Sequence, residues 1–197
     1  MANTARQKSE LRRTMRARRQ RFVAALPASI SSLVFSRPPG PIAGLFEAAD
    51  MIGLYHPLGS EARTRGYANY CLDRGMTLAL PWFASRDAPM QFRKWDGMDE
   101  TLEPSAFGFL QPGISMPLAE PDLLIMPLVA FDAARNRLGQ GAGHYDRYCA
   151  ENPDARLIGL AWSVQQVDAV PVERHDVPLD AIVTEVQVLM RDTGETI

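Results

Sequence analysis

The chain has 197 residues, 46% of them hydrophobic and 22% charged, which suits one domain with a full core and no need of disulfides. A net charge of −2 gives no global reason to expect nucleic acid or an anionic membrane as a partner. Cys71 and Cys149 match no metal motif and are expected as reduced thiols of a cytoplasmic protein, and neither a membrane-length apolar run nor a secretory leader is visible.

Residues 5–26 read as a helix, with Leu11, Met15, Phe22 and Leu26 as a narrow apolar stripe and Pro27 as its stop. The same stretch is basic: Arg6, Lys8, Arg12, Arg13, Arg16, Arg18, Arg19 and Arg21 crowd it, with Glu10 the only acid among them. An arginine-rich, acid-poor start also describes a mitochondrial transit peptide. Residues 36–41 carry three prolines and read as a loop. Residues 51–55 read as a strand. Residues 61–74 read as a helix with Tyr67, Tyr70 and Cys71 on one face and Gly75 at its end. Residues 76–80 and Gln91–Trp95 read as strands, and residues 96–120 hold too many glycine and proline breaks to assign.

Residues 123–131 are strongly apolar and read as a buried strand, bent at Pro127. A helix at His144–Glu151 and buried strands at 157–162 and 181–184 follow, with an edge strand at 186–190. Strands alternating with helices imply a mostly parallel sheet covered on both faces. The expectation is one α/β domain over residues 1–197, a three-layer, Rossmann-like α/β/α fold, with a basic helix at 1–27 packed on it.

Between the long apolar strand and the helix at 144 lies Arg137-Leu138-Gly139-Gln140-Gly141-Ala142-Gly143-His144-Tyr145-Asp146-Arg147. Glycines let backbone N–H groups approach an anion, and a helix N-terminus adds partial positive charge. The loop lacks the Gly-Lys-Ser/Thr of a P-loop, and His144 stands where the dinucleotide fingerprint has its last glycine. Spacing alone therefore leaves a phosphate loop and an ordinary tight turn both open. Arg137 and Arg147 favour phosphate. Asp146 is either a magnesium ligand or a surface acid paired with Arg147.

Arg-Leu-Gly-x-Gly-x-Gly-x-Tyr-Asp-Arg after a strand ending Pro-Leu-x-x-Phe-Asp resembles the 5-formyltetrahydrofolate cyclo-ligases, also called 5,10-methenyltetrahydrofolate synthetases. Further matches occur in order along the chain. They are Lys8-Ser9-Glu10-Leu11-Arg12, Ile52-Gly53-Leu54-Tyr55 with Glu61, Pro121-Asp122-Leu123, Ile158-Gly159-Leu160-Ala161, Val170-Pro171, His175-Asp176, Leu179-Asp180 and Thr184-Glu185. The resemblance implies ATP-dependent closure of 5-formyltetrahydrofolate to 5,10-methenyltetrahydrofolate, with ADP and phosphate released after transient phosphorylation of the formyl oxygen. It implies ATP and Mg2+ as cofactors and a small-molecule folate as the partner. It places Lys8, Ser9, Glu10, Leu11 and Arg12 on ATP, together with Arg137, Leu138, Gly139, Gln140, Gly141, Ala142, Gly143, His144 and Tyr145. Gln140 to His144 would also touch folate, as would His56 and Glu61. Asp146 and Asp176 would hold the metal, and Arg137, His144 and Tyr145 would be catalytic.

The resemblance begins at Lys8, which assigns the basic helix to the domain itself rather than to a transit peptide. Arg13, Arg16, Arg18, Arg19 and Arg21 gain no role and default to solvent. The chain departs from the family at His144, where an aromatic is usual, at Ala142, at Gln111 and at Arg63. His144 predicts a loop whose charge changes near neutral pH. The expected protein is a monomer or weak homodimer without nucleic acid or membrane partners. A non-catalytic folate- or nucleotide-binding relative, or a nucleic-acid-binding role of the basic helix, are the other readings.

Overall fold

The computed structural model describes residues 2–173 and 176–191. In chain order they form α1 (Ala2–Ala25), α2 (Ala28–Leu33), α3 (Gly40–Glu47), β1 (Met51–Gly53), α4 (Arg65–Leu72), β2 (Thr77–Trp82), β3 (Gln91–Trp95), β4 (Leu102–Pro104), β5 (Leu110–Pro112), β6 (Leu118–Ala119), β7 (Leu123–Pro127), β8 (Ala130–Phe131), β9 (Arg137–Leu138), α5 (His144–Glu151), β10 (Arg156–Leu160), β11 (Ala181–Val183) and β12 (Val188–Met190). The main sheet runs β12-β11-β10-β7-β1-β2-β3-β6. Its centre, from β11 to β2, is parallel, and antiparallel pairings add β12 at one edge and β3 and β6 at the other.

Strand side chains alternate between two cores, as period-2 geometry requires. Ile52, Leu78, Leu80, Leu123, Ile125, Ile158 and Leu160 face one layer, with Ile42 and Phe46 of α3 and Tyr67 and Cys71 of α4. Ala79, Leu124, Met126, Leu157 and Ile182 face the other, with Tyr148 and Cys149 of α5. This is the three-layer α/β/α arrangement. A third, smaller core joins Met15 of α1 to Val129, Ala130, Leu138 and Val170, fastening the long helix to the rim of the sheet. Among the described residues no helix is long and apolar enough to cross a membrane.

Three local expectations change. Gly40 and Pro41 open α3 rather than close a loop, because proline in the first helical turn loses no hydrogen bond. α4 starts at Arg65, not at residue 61, because the preceding side chains bond inward: Glu61 accepts from the Leu58 N–H and Thr64 Oγ1 donates to the Tyr55 carbonyl. The apolar run 123–131 is two strands. β7 stays in the main sheet, whereas the chain beyond Pro127 turns away so that β8 pairs with β9 and Val129 N–H donates to Leu138. The unassigned stretch 96–120 forms the small β4–β5 hairpin and the edge strand β6.

Candidate active site

β1 and β7 lie side by side where the strand order reverses, since the chain leaves β1 for β2 on one side and β7 for β10 on the other. In open parallel sheets ligands bind at the carboxyl ends of strands at such a point. A cleft of about 420 Å3 opens there. Tyr55 and His56 follow β1, Pro81 and Phe83 lie at the end of β2, and Pro127 ends β7; all five line it. The β9–α5 loop forms a further wall. Gly141 and Gly143 hold φ of 113° and 67°, left-handed values that glycine adopts without Cβ strain, and Gly143 immediately precedes α5.

One end of the cleft is charged. Lys8, buried on α1, donates to Glu173 Oε2 at 2.8 Å and to Asp176 Oδ2 at 2.7 Å. Burial lowers the Lys8 pKa, but the hydrogen bonds to Asp176 and Glu173 outweigh it and the net shift is upward. Arg12, one turn on, donates through Nε to the Gly139 carbonyl at 2.8 Å. Arg137, buried on β9, reaches Asp146 Oδ1 at 2.5 Å and the Val177 carbonyl at 3.1 Å. Each expected phosphate cation of the buried pair, Lys8 and Arg137, is thus matched to an expected metal acid. Asp146 pairs with Arg137 and not with Arg147, which instead meets His144 Nδ1 at 2.9 Å. Among the described residues no three His, Cys, Asp or Glu side chains group closely enough to hold a metal by themselves. Carboxylates from the first turn of α5 and from Asp176, on one cleft, still fit magnesium, which is usually held by one or two carboxylates with phosphate oxygens and water completing the shell.

The other end is aromatic. His144 meets Phe83 edge-on at 4.7 Å and Phe107 at 5.3 Å, and the Phe107 and Phe109 rings stack at 6.1 Å. Gln111 is buried and clasps Phe83 twice, its Oε1 accepting from the Phe83 N–H and its Nε2 donating to the Phe83 carbonyl. An amide can make both bonds where a carboxylate could only accept, which explains the use of glutamine here. Burial, and then the Arg147 charge, lower the His144 pKa, so the ring is neutral at pH 7. Burial likewise lowers His56, whose Nδ1 is buried without a hydrogen bond.

Between the ends sit Glu61 and Tyr145. Glu61 accepts from the Leu58 N–H at 2.9 Å and from Gln140 Nε2 at 2.6 Å. Burial pushes its carboxyl above the ordinary range, opposed by the Leu58 hydrogen bond, the Arg19 charge and Gln140. Burial also raises the Tyr145 phenol, which therefore stays protonated at neutral pH.

All residues expected in the site from 137 to 146 line this one cleft, with Lys8, Arg12, His56, Glu61 and Asp176. Ser9 and Glu10 are exposed, and Leu11 packs against the third core, so these three do not line it. His175 lies outside the described residues. The expectation of solvent for the remaining arginines fails at Arg19, which is buried; Arg16 is exposed as expected, although it also donates to the side chain and carbonyl of Gln140. The signal for both is spacing: positions 8, 12, 16 and 19 follow one helical face. Phe83, Phe107 and Phe109 also escaped the sequence reading; the Phe107-Gly108-Phe109 pair was the available hint.

The family model of the 5-formyltetrahydrofolate cyclo-ligases matches residues 4–185. The chain belongs to this family. A Mycolicibacterium smegmatis protein named 5-formyltetrahydrofolate cyclo-ligase is 28% identical over 189 residues, 91% of this chain and 94% of that one. A Haemophilus influenzae protein of the same name is 42% identical over 87 residues, a match spanning 41% of this chain and less than half, 46%, of the relative. The solved structure of Aquifex aeolicus 5,10-methenyltetrahydrofolate synthetase is similar with a TM-score of 0.76 at 26% identity, covering 96% of this chain and 95% of that one.

Proposed function

We propose that this cleft carries out the ATP-dependent cyclisation of 5-formyltetrahydrofolate to 5,10-methenyltetrahydrofolate. The observation that carries the reading is the convergence on one cleft of three cations, Lys8, Arg12 and Arg137, with Asp146 and Asp176, beside the Glu61 carboxylate and an aromatic wall. A polyanion suits the first group and a flat heteroaromatic with ring N–H donors suits the second.

In this reading the formyl oxygen attacks the terminal phosphorus of ATP and ADP departs. The N10 nitrogen then attacks the formyl carbon, loses its proton, and phosphate leaves with the former formyl oxygen. Phosphoryl transfer is catalysed mainly by positioning and charge stabilisation. Arg137 is the best placed cation for that work, since packing and two hydrogen bonds fix its guanidinium before substrate arrives. Lys8 and Arg12 hold the remaining phosphate oxygens, Lys8 exchanging its carboxylate partners for phosphate. Asp146 and Asp176 would hold Mg2+, which when bound neutralises phosphate charge. Glu61 accepts hydrogen bonds from the pterin, and protonated Tyr145 offers a donor without a charge. His56 and neutral His144 flank the folate, and the Phe83, Phe107 and Phe109 wall covers an aromatic part of it and excludes water.

The test is direct. Purified protein, 5-formyltetrahydrofolate, ATP and magnesium should give an ATP-dependent rise in methenyl absorbance with ADP formed in equal amount. Folate and ATP binding without turnover would leave a binding-only relative as the correct reading.

A further inference from the structure

α1 presents Lys8, Arg12, Arg16 and Arg19 along one face, and the family resemblance gives a site role only to the first two. Arg19 is the most unusual. Its side chain is 8% exposed, Nε donates to Ser60 Oγ at 3.1 Å, and one terminal nitrogen reaches the Leu128 carbonyl at 3.4 Å. That nitrogen lies 4.0 Å from Oε1 of Glu61, whose own side chain is 6% exposed. A guanidinium does not lose its proton in a protein, so a cation is fixed beside Glu61, just behind the residues that line the cleft. Removing water from two such groups is costly unless each faces the other. Among the described residues Glu61 has only neutral hydrogen-bond partners of its own, the Leu58 N–H and Gln140.

We propose that Arg19 is a positioning residue, which keeps the buried Glu61 carboxylate ionised and aimed into the cleft so that it can accept from the ring N–H donors of a reduced pterin. The inference rests on the reading of Glu61 as the pterin acid. Among the described residues the other charged or titratable groups around Glu61 are Arg16, on α1 with Arg19, Tyr55 after β1 and Tyr145 on α5. Both phenols are raised by burial and stay neutral, so they supply no compensating charge. Arg16 does carry charge, but it is exposed and bonded to Gln140, where water screens it. Arg19 is therefore the dominant cation for Glu61. A protonated Glu61 would present a donor where the pterin also presents donors, which inverts the match.

The experiment follows Glu61 itself in the full chain. Carboxyl NMR titration of glutamate-labelled protein, with the Glu61 signal assigned by its loss in Glu61→Gln, gives its midpoint without any substrate. In Arg19→Gln, which keeps a stem able to reach Ser60, the midpoint should rise by about one pH unit or more, a tenfold shift in the ionisation constant. The acid limb of kcat/KM for the folate should move up by the same interval, with the loss carried mostly by KM and partly recovered at alkaline pH. Arg19→Lys, which keeps a charge, should bring the midpoint most of the way back. An unmoved midpoint, or a loss of activity equal at every pH and not rescued by lysine, would overturn the proposal. Should Arg19→Gln fail to fold, Arg19→Met, which keeps the length of the stem without its charge, decides: a raised Glu61 midpoint and a raised KM with kcat retained support positioning, and an unmoved midpoint refutes it. Failure of the parent to turn over 5-formyltetrahydrofolate, with the midpoint still moving in Arg19→Gln, would sink the functional reading and leave the charge coupling standing.

Discussion

The charged end of the cleft is made from side chains that each lie in a short local motif: the first turns of α1, the β9–α5 loop, and the loop holding Glu173 and Asp176. The aromatic end draws Phe83 from the end of β2, Phe107 and Phe109 from the β4–β5 hairpin, and His144 from α5. The first is held by ion pairs, one between chain-distant residues, Lys8 and Asp176, and one within the β9–α5 motif, Arg137 and Asp146. The second is held by ring packing and by the two-way amide clasp of Gln111 on Phe83. The difference suggests a division of labour. Under the proposed function the charged end would act on the transferred group, where a misplaced charge costs rate, and the aromatic end would grip the part of the substrate that does not react.

Arg137→Ala should break this division most severely. It removes a preorganised cation and leaves Asp146 without its partner, so kcat should fall about 10²–10³-fold while KM for the folate changes little. Steady-state kinetics at saturating ATP measure it, and an unaltered kcat would remove Arg137 from phosphate stabilisation. A smaller effect of the opposite kind is expected at the other end. Phe107→Ala deletes three ring contacts, to Phe83, Phe109 and His144, each worth about 0.5–1.5 kcal/mol, and should raise KM for the folate about tenfold or more with kcat nearly kept. A fall in kcat equal to that of Arg137→Ala would merge the two ends into one functional unit.

The smallest effect concerns His144→Tyr, and it is confined to acid. The folded-state pKa of His144 lies below the ordinary value of 6.5. As pH falls the unfolded chain therefore takes up the proton first, and His144 costs stability from near its unfolded pKa down through its folded pKa. Parent and variant should have matching thermal midpoints and rates at pH 7–8, with the parent losing more of both below about pH 6. Superimposable profiles at every pH would show that His144 is no sensor.

How far the chain could be read without coordinates tracks the same contrast. Lys8, Arg12 and the 137–146 loop were legible because a helix repeat and a glycine pattern fix which residues share a face or a turn. Glu61 was legible through a neighbouring motif, although its placement before α4, not in it, depended on inward bonds by Glu61 and Thr64. The aromatic wall was not legible, because the β4–β5 hairpin has no strong alternation and takes its position from packing on Phe83. Arg19 was misread as solvated because its charge is the usual mark of a surface. Only partners 41 and 109 positions away, Ser60 and the Leu128 carbonyl, together with Glu61, make a buried cation sustainable.

The face of α1 that carries Lys8, Arg12, Arg16 and Arg19 has a consequence for how this helix can change. The four touch three segments in or behind the cleft wall, Lys8 at Asp176, Arg12 and Arg16 at neighbouring residues of the β9–α5 loop, and Arg19 at Ser60, so their angular phase matters more than their individual identity. One residue inserted between Arg12 and Arg16 would swing the two distal arginines about 100° around the helix axis relative to the proximal pair. The helix behaves as a toothed key: it can be lengthened at either end, but within the toothed span it admits substitution and not a change in length.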